Sequence, residues 1–256
     1  GNLGNIITWA AGNGLRSDDN SNFDGYANSR HTIAVTAVTH YGEQSWYAEP
    51  GANILVAAPS DGDGEGITTT DNEGGGGYNN GDYNDDFGGT SSATPLVSGV
   101  IALILEANPN LTYRDIEHII AHSSRQNDAN DNSWGTNGAG HDVSHKYGFG
   151  VIDANAAVAL AENWNNVEEE INFQSGLIDI QDRSIPDNSA PGIIETIQVS
   201  DSIKVEHVEV IVDIDHSYRG DLAITLTSPM GTQSILSEKH EDSNNNLNNW
   251  MFTSVH

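Results

Sequence analysis

The segment at residues 89–95, which reads Gly-Thr-Ser-Ser-Ala-Thr-Pro, constrains the fold and chemistry of this chain most strongly. It leads directly into the apolar, small-residue stretch 96–103, so Ser91 is predicted to lie in the first turn of a buried helix. There, free backbone N–H groups and the positive end of the helix dipole can face a negative charge. A nucleophilic serine needs such donors, because its attack on a carbonyl creates an oxyanion. The segment therefore predicts a nucleophile at Ser91, with an ordinary helix start as the alternative.

A second segment offers a partner for that serine. Residues 6–10 form an apolar, strand-like run, and Gly-Asn-Gly at 12–14 follows as a turn that presents Asn13. Alone, this tripeptide is usually only a turn. Upstream of a serine at a helix start, its side-chain amide can supply the second donor to an oxyanion. Asn13 and Ser91 are therefore predicted to act as a pair.

Composition restricts the class of partner. The chain has 256 residues, with 9 Lys and Arg against 37 Asp and Glu, a net charge of −28. This charge disfavours nucleic acid and anionic membranes, which need basic surfaces. It leaves three interpretations open: calcium ligands, attraction of basic substrates, or solubility in a salty medium. Cysteine is absent, so disulfides contribute nothing and redox chemistry does not indicate a compartment.

The first 165 residues read as an α/β domain. Short β-branched or apolar runs between turns predict strands, and two periodic segments with capping residues predict helices. Thr112 is predicted to cap one helix in a capping-box variant with Asp115, and Asp153 to cap an Ala-rich helix that ends near Asn163. The predicted strands are 6–10, 32–38, 53–57 and 67–70, and the first predicted helix is 94–107. The apolar run near 97–105 is predicted to be too short and interrupted to span a bilayer.

A shift in composition after residue 165 marks a second domain, 166–256. Alternating patterns with turns about every ten residues predict a β-sandwich. The predicted strands are 176–180, 193–199, 207–214, 222–227 and 233–236. The Arg219-Gly220-Asp221 tripeptide between two of them is interpreted as a structural turn, with an adhesive role as the less favoured alternative.

Together these segments resemble a kexin/furin-like proprotein convertase, a subtilisin-like serine protease followed by a P (Homo B) domain. The resemblance covers nearly the whole chain. It implies an α/β subtilisin-like fold with a parallel sheet and helices on both faces, then an all-β jelly-roll-type sandwich. The stretches that carry it are 24–29, 46–49, 89–95, 105–112, 144–154, 218–222 and 227–232.

Carried over by position, the resemblance makes Ser91 the nucleophile and Asn13 the oxyanion donor. Asp24 falls where convertases place an acidic residue in the S1 pocket. A buried carboxylate there would bind a P1 arginine through bidentate, charge-assisted hydrogen bonds. Tyr26 and Thr90 complete the expected substrate-binding set.

The resemblance also implies a calcium site at Asp19 and Glu49. Calcium prefers several oxygen ligands, which acidic residues on neighbouring loops can supply. One further family ligand would lie before Gly1, so this site is not expected to be complete here. The acidic stretch 60–89 matches no EF-hand spacing and is interpreted as a solvated, mobile loop rather than a second calcium site. Its carboxylates are Asp61, Asp63, Glu65, Asp71, Glu73, Asp82, Asp85 and Asp86.

The rest of the catalytic triad is not expected within this sequence. Subtilisin-like triads run Asp, His, Ser along the chain, and only His31 and His40 precede Ser91. Neither has the His-Gly-Thr setting of the family's base. We therefore expect both domains to be incomplete, the first at its start and the second at its end. The isolated segment should then lack activity and be only marginally stable.

The resemblance implies a calcium-dependent serine endopeptidase that cleaves polypeptides after basic residues, secreted or extracytoplasmic, with the P domain packed on the catalytic domain. Two alternatives stay open. One is a subtilisin-like protease without basic specificity, which cleavage after arginine and leucine would distinguish. The other is a non-catalytic β-sandwich binding module, which would lack Asp-x-Gly and His-Gly-Thr motifs upstream.

Overall fold

A three-stranded parallel sheet lies at the centre of the first part of the chain. The computed structural model describes residues 4–180, 183–188 and 192–256. Strands β1 (Thr8–Ala10), β2 (Ile33–Val38) and β3 (Ile54–Pro59) pair in that order. All of β2 is buried, and β3 is buried except at Pro59, as is typical of parallel strands covered on both faces. The three strands predicted here are confirmed, with β1 shorter than predicted.

Helix α1 (Thr90–Ala107) packs on this sheet. It begins four residues earlier than predicted, so the serine-containing segment is itself helical. Its inner side chains Val97, Ile101 and Ile104 are buried. Of the helices in the described ranges, α1 alone is long and apolar enough to cross a membrane, although the sequence indicated too short a run. One face of α1 is buried against the sheet, as expected for an amphipathic helix that covers a core.

Capping residues define where two further α-helices begin, α2 (Tyr113–Ser123) and α3 (Ala154–Ala161). The Thr112 Oγ1 accepts the Asp115 N–H at 3.3 Å, while the Asp115 Oδ2 accepts the Thr112 N–H at 2.7 Å. This reciprocal pair confirms the predicted capping box. The Asp153 side chain accepts the N–H of Ala156 at 3.0 Å, as predicted for an N-cap.

Two antiparallel hairpins connect these elements. Strand β4 (Ile67–Thr70) pairs with β5 (Tyr83–Phe87), and β6 (Trp134–Thr136) pairs with β7 (Asp142–Ser144). The stretch interpreted from the sequence as a loop therefore contains a hairpin. Its side chains are mostly exposed, as expected for a charged surface segment.

Residues 207–256 form two antiparallel pairs, β8 (Val208–Ile214) with β11 (Leu247–Ser254) and β9 (Ile224–Thr227) with β10 (Gln233–Ser237). The three strands predicted in this region are confirmed, and β11 was missed. Residues Arg219–Asp221 form a short helical turn, from which the Arg219 Nε donates to the Asp242 Oδ2 at 2.6 Å. This contact supports the structural interpretation of the tripeptide.

The strands predicted at 176–180 and 193–199 are wrong, because the described residues there form no strand. Residues 167–206 form a separate compact unit, and Leu177 is 93% exposed and Ile194 65%. An alternating pattern forms a strand only where a neighbouring strand accepts its hydrogen bonds and a core buries one face. The domain division at 165/166 stays a prediction.

The strands at 207–256 share a core with the first part of the chain, in the unit formed by residues 1–166 and 207–256. Ala52 and Phe23 pack with Phe252, and the Phe23 and Phe252 ring centroids lie 5.5 Å apart. The Asn22 amide accepts the Thr253 N–H at 2.8 Å and donates to the Thr253 carbonyl at 3.1 Å. A side chain thus takes the place of a strand partner along β11.

Candidate active site

Ser91 is the second residue of α1, and its side chain is exposed. Gly89 precedes the helix with φ +78°, a left-handed conformation that glycine adopts without steric cost. The first four N–H groups of an α-helix have no partner within the helix, and the Ser91 N–H is one of them. The turn therefore presents a hydroxyl and a free N–H at the same helix end.

The Asn13 side chain lies against this turn in a defined orientation. Its Oδ1 accepts the backbone N–H of Thr90 at 2.9 Å and the Thr90 hydroxyl at 3.0 Å. Because an N–H can only donate, the atom that faces Thr90 must be the amide oxygen. The Nδ2 is thereby directed to the other side, close to Gly89. The structure brings Asn13 and Ser91 together and leaves two N–H donors beside one serine.

Thr90 itself is buried and connects the helix to the sheet edge. Its hydroxyl accepts the Gly12 N–H at 3.3 Å, directly after β1. About two turns further along α1, the Ser98 hydroxyl lies 2.8 Å from that of Thr8 in β1. These contacts fix α1 to β1, so the turn after the strand and the start of the helix stay adjacent.

Asp24 is exposed, whereas the sequence led us to expect a buried carboxylate. Its Oδ1 accepts the N–H groups of Tyr26 at 2.7 Å and Ala27 at 3.1 Å, so this oxygen stabilises a local turn. Tyr26 is 67% exposed, and its ring stacks on Trp9 with centroids 4.6 Å apart. In this arrangement Oδ2 of Asp24 is the carboxylate oxygen that the turn leaves open.

The structure brings Asp19 and Glu49 together at Gly14. The Gly14 N–H donates to the Glu49 Oε1 at 2.7 Å, and a Cβ placed on Gly14 would meet both carboxylates. Burial raises the pKa of Glu49 to about 7, and the negative charges of Asp19 and Asp24 add to this effect. A cation placed between Asp19 and Glu49 would remove that electrostatic cost.

These two side chains fit part of a calcium site. The Asp19 Oδ1 accepts the Asn20 N–H at 2.9 Å, which leaves its other oxygen available. Calcium takes six to eight oxygen ligands, of which two carboxylates supply a fraction. Among residues 4–180, 183–188 and 192–256, no group of three or more His, Asp or Glu side chains is arranged to hold a metal ion.

The histidines before Ser91 face other partners. The His31 ring lies 6.0 Å from that of Tyr113, and the His40 ring lies 3.9 Å from that of Tyr41. Within the described part of the chain, no histidine forms a hydrogen bond with Ser91. The general base therefore remains an expectation from the resemblance.

Sequence reasoning missed the role of Asp61 in the turn that precedes α1. Asp61 was counted there as one of many surface carboxylates, but its Oδ1 accepts the Gly89 N–H at 2.9 Å. Asp61 is the second residue after β3, and Asn13 is the third residue after β1. Carboxyl ends of parallel strands meet at one sheet edge, so this position was the available signal.

Two family models match the chain. The subtilase family matches residues 1–150, and the proprotein convertase P-domain matches residues 205–256. The first match covers more than half of the chain and includes Ser91, Asn13 and the parallel sheet.

The chain belongs to the subtilase family.

Individual relatives agree with this assignment. The chain is 37% identical to furin of Homo sapiens over 265 residues, which cover 100% of the chain and 32% of furin. It is 39% identical to proprotein convertase subtilisin/kexin type 5 of Rattus norvegicus, covering 99% of the chain and 14% of that protein. The chain thus spans a third or less of the length of these curated relatives.

A solved structure supports the fold. The serine protease of Aeromonas sobria has a TM-score of 0.81 and 26% sequence identity, covering 99% of this chain and 56% of that one. The resemblance to kexin/furin-like convertases is confirmed, as is the fold class of a subtilisin-like α/β domain with a P domain.

Proposed function

We propose that this chain is part of a calcium-dependent serine endopeptidase that cleaves polypeptides after arginine. The observation that carries the proposal is the bond from the Thr90 N–H to the Asn13 Oδ1, at 2.9 Å. It fixes the amide with its Nδ2 near the start of α1, which supports a role for Asn13 beside Ser91, the proposed nucleophile. A donor positioned before reaction stabilises a developing oxyanion without reorganisation.

The reaction would be acyl transfer. The Ser91 Oγ attacks the scissile carbonyl carbon and gives its proton to a histidine base supplied from outside the described residues. The Ser91 N–H and the Asn13 Nδ2 donate to the tetrahedral oxyanion. The peptide C–N bond breaks, the base returns the proton to the leaving amine, and water then hydrolyses the ester.

Asp24 would select the P1 arginine, with Tyr26 and Thr90 beside it. Only Oδ2 of Asp24 is open, because the turn occupies Oδ1, so a bidentate contact would require the turn N–H groups to share their acceptor. Asp19 and Glu49 would hold the calcium, whose positive charge would offset the carboxylates gathered near Gly14. We further propose an extracytoplasmic location, based on the similarity to furin.

Cleavage by the full-length protein of matched fluorogenic peptides with P1 Arg or P1 Leu, with and without a calcium chelator, tests the proposal. We expect calcium-dependent preference for arginine, and Asp24→Asn should reduce that preference about 30-fold, equivalent to about 2 kcal/mol for a charge pair. Asp86→Asn, an exposed carboxylate in β5, is the matched control and should change nothing. Equal cleavage of both peptides would indicate a general subtilisin-like protease. An inert protein that also fails to react with a fluorophosphonate would indicate a binding module.

A further inference from the structure

The backbone of Gly89, two residues before Ser91, is held at both of its polar groups by the segment after β3. The Gly89 N–H donates to the Asp61 Oδ1 at 2.9 Å. The Ser60 hydroxyl donates to the Gly89 carbonyl at 2.7 Å. A Cβ at the neighbouring Gly88 would overlap the Asp61 carboxylate, so the turn and the carboxylate are in direct contact.

A buried chain of hydroxyls extends from this contact. The Tyr47 hydroxyl donates to the Asp61 Oδ1, and the Ser92 hydroxyl lies 2.6 Å from that of Ser60. Tyr47, Ser60 and Ser92 are each no more than 4% exposed. Burial, and then the bond to Asp61, raise the pKa of Tyr47, which keeps its phenol protonated as a donor.

The hydrogen bonds of this set are mutually consistent. Tyr47 and the Gly89 N–H both donate to Asp61, and Ser60 donates to the Gly89 carbonyl. The Ser92 hydroxyl has two partners within hydrogen-bond distance, the Ser60 hydroxyl at 2.6 Å and the Gly89 carbonyl at 3.1 Å. The Asp61 Oδ1 and the Gly89 carbonyl are the two acceptors on which these donors converge. Ser92 completes this set through its contact with Ser60.

The conformation of Gly89 sets the direction of the peptide that enters the helix. Its φ is +78°, whereas the residue before a helix ordinarily has a negative φ, so the peptide after Gly89 is oriented differently. That direction sets where the N–H groups of Thr90 and Ser91 point. A shift of about 1 Å in a reacting group can reduce turnover about 10²-fold.

We propose that Asp61 is a positioning residue for this turn, which holds Gly89 so that the Ser91 N–H and the Asn13 amide converge on one point. The inference rests on the proposed function of Ser91. The position of Gly89 depends on the acceptor atom at Oδ1 of Asp61, and the charge of the carboxylate contributes less to it.

Three variants of the full-length protein separate these contributions. Asp61→Ala removes the acceptor, Asp61→Asn keeps an acceptor without charge, and Asp61→Glu keeps the charge but displaces it by one methylene. For each we would measure kcat and KM on the P1 Arg peptide, the rate of fluorophosphonate labelling, and hydrogen exchange by mass spectrometry in the peptide that contains Gly89.

We expect Asp61→Ala to lower kcat and the labelling rate about 10- to 100-fold, with KM changed less than about threefold. Exchange at Gly89 should accelerate in the same variant. Asp61→Asn should stay within about threefold of the wild type in all three measurements, and Asp61→Glu should lose about tenfold in kcat. If Asp61→Ala does not fold, the comparison of Asn with Glu still decides between acceptor position and charge.

Wild-type kcat in Asp61→Ala, or an Asn variant impaired while Glu is unchanged, would overturn the assignment. A wild-type protein that does not react with the fluorophosphonate would instead overturn the proposed function, and this role with it. The two failures are distinguishable, because only in the second is the wild-type control itself unreactive.

Discussion

Glu49→Gln offers a quantitative test of the carboxylate pair at Gly14. Glu49 is 7% exposed, and its pKa is raised from 4.5 to about 7, first by burial and then by the charges of Asp19 and Asp24. The glutamine keeps an oxygen that can accept the Gly14 N–H. It removes only the charge.

The sign of the pH dependence follows from the direction of the pKa shift. Between pH 4.5 and 7 the unfolded chain has released this proton and the folded protein retains it. The free energy of unfolding therefore decreases as the pH rises through this window. One pKa unit corresponds to about 1.4 kcal/mol, so the shift corresponds to a cost of about 3 kcal/mol above pH 7 in the absence of calcium.

Urea denaturation of the full-length protein from pH 4.5 to 8, in the presence of a chelator, would measure this cost. The Glu49→Gln variant should equal the wild type near pH 4.5 and be more stable by about 3 kcal/mol at pH 8. With saturating calcium the order should reverse, because the variant lacks a charged ligand. Glu73→Gln, an exposed carboxylate in the acidic stretch, is the control. A variant less stable than wild type at pH 8 without calcium would refute the electrostatic argument.

Two further substitutions test other parts of the structure. Asn13→Ala should lower kcat about 10²–10³-fold with little change in KM, as expected for loss of one oxyanion donor, and a proportional increase in KM instead would point to substrate binding. Phe252→Ala, at a fully buried position in the core shared by β11 and the first part of the chain, should reduce the free energy of unfolding by about 3–5 kcal/mol in urea denaturation. Tyr78→Ala, 90% exposed, is the control and should have no measurable effect. A small effect of Phe252→Ala would mean that the shared core contributes little to stability.

The sequence was sufficient to predict features that depend on residues close together in the chain. The capping box of Thr112 and Asp115 depends on residues three apart, and the structure contains both of its bonds. Ser91 was assigned to a helix start from its glycine-rich approach and the apolar run that follows, and it lies in the first turn of α1. Such signals depend on backbone geometry over a few residues, which the sequence specifies directly.

Strand prediction failed where the pattern was correct but a partner was absent. Residues 176–180 alternate as a strand would, yet Leu177 is almost fully exposed in the described structure. The strand β11 was missed although it is eight residues long. Pairing partners lie far away in the chain, so periodicity alone does not establish whether a strand forms.

The sequence by itself determined the family and the serine turn, and it predicted that Asn13 acts together with Ser91, because these signals reside in short motifs whose geometry is intrinsic. Only the tertiary structure decided that Asp61 is a partner of Gly89 and Asp86 is not, or that Asp24 is exposed. Carboxylates in an acidic sequence are chemically equivalent until folding places each one. Burial and the direction of nearby N–H groups then give each a different role.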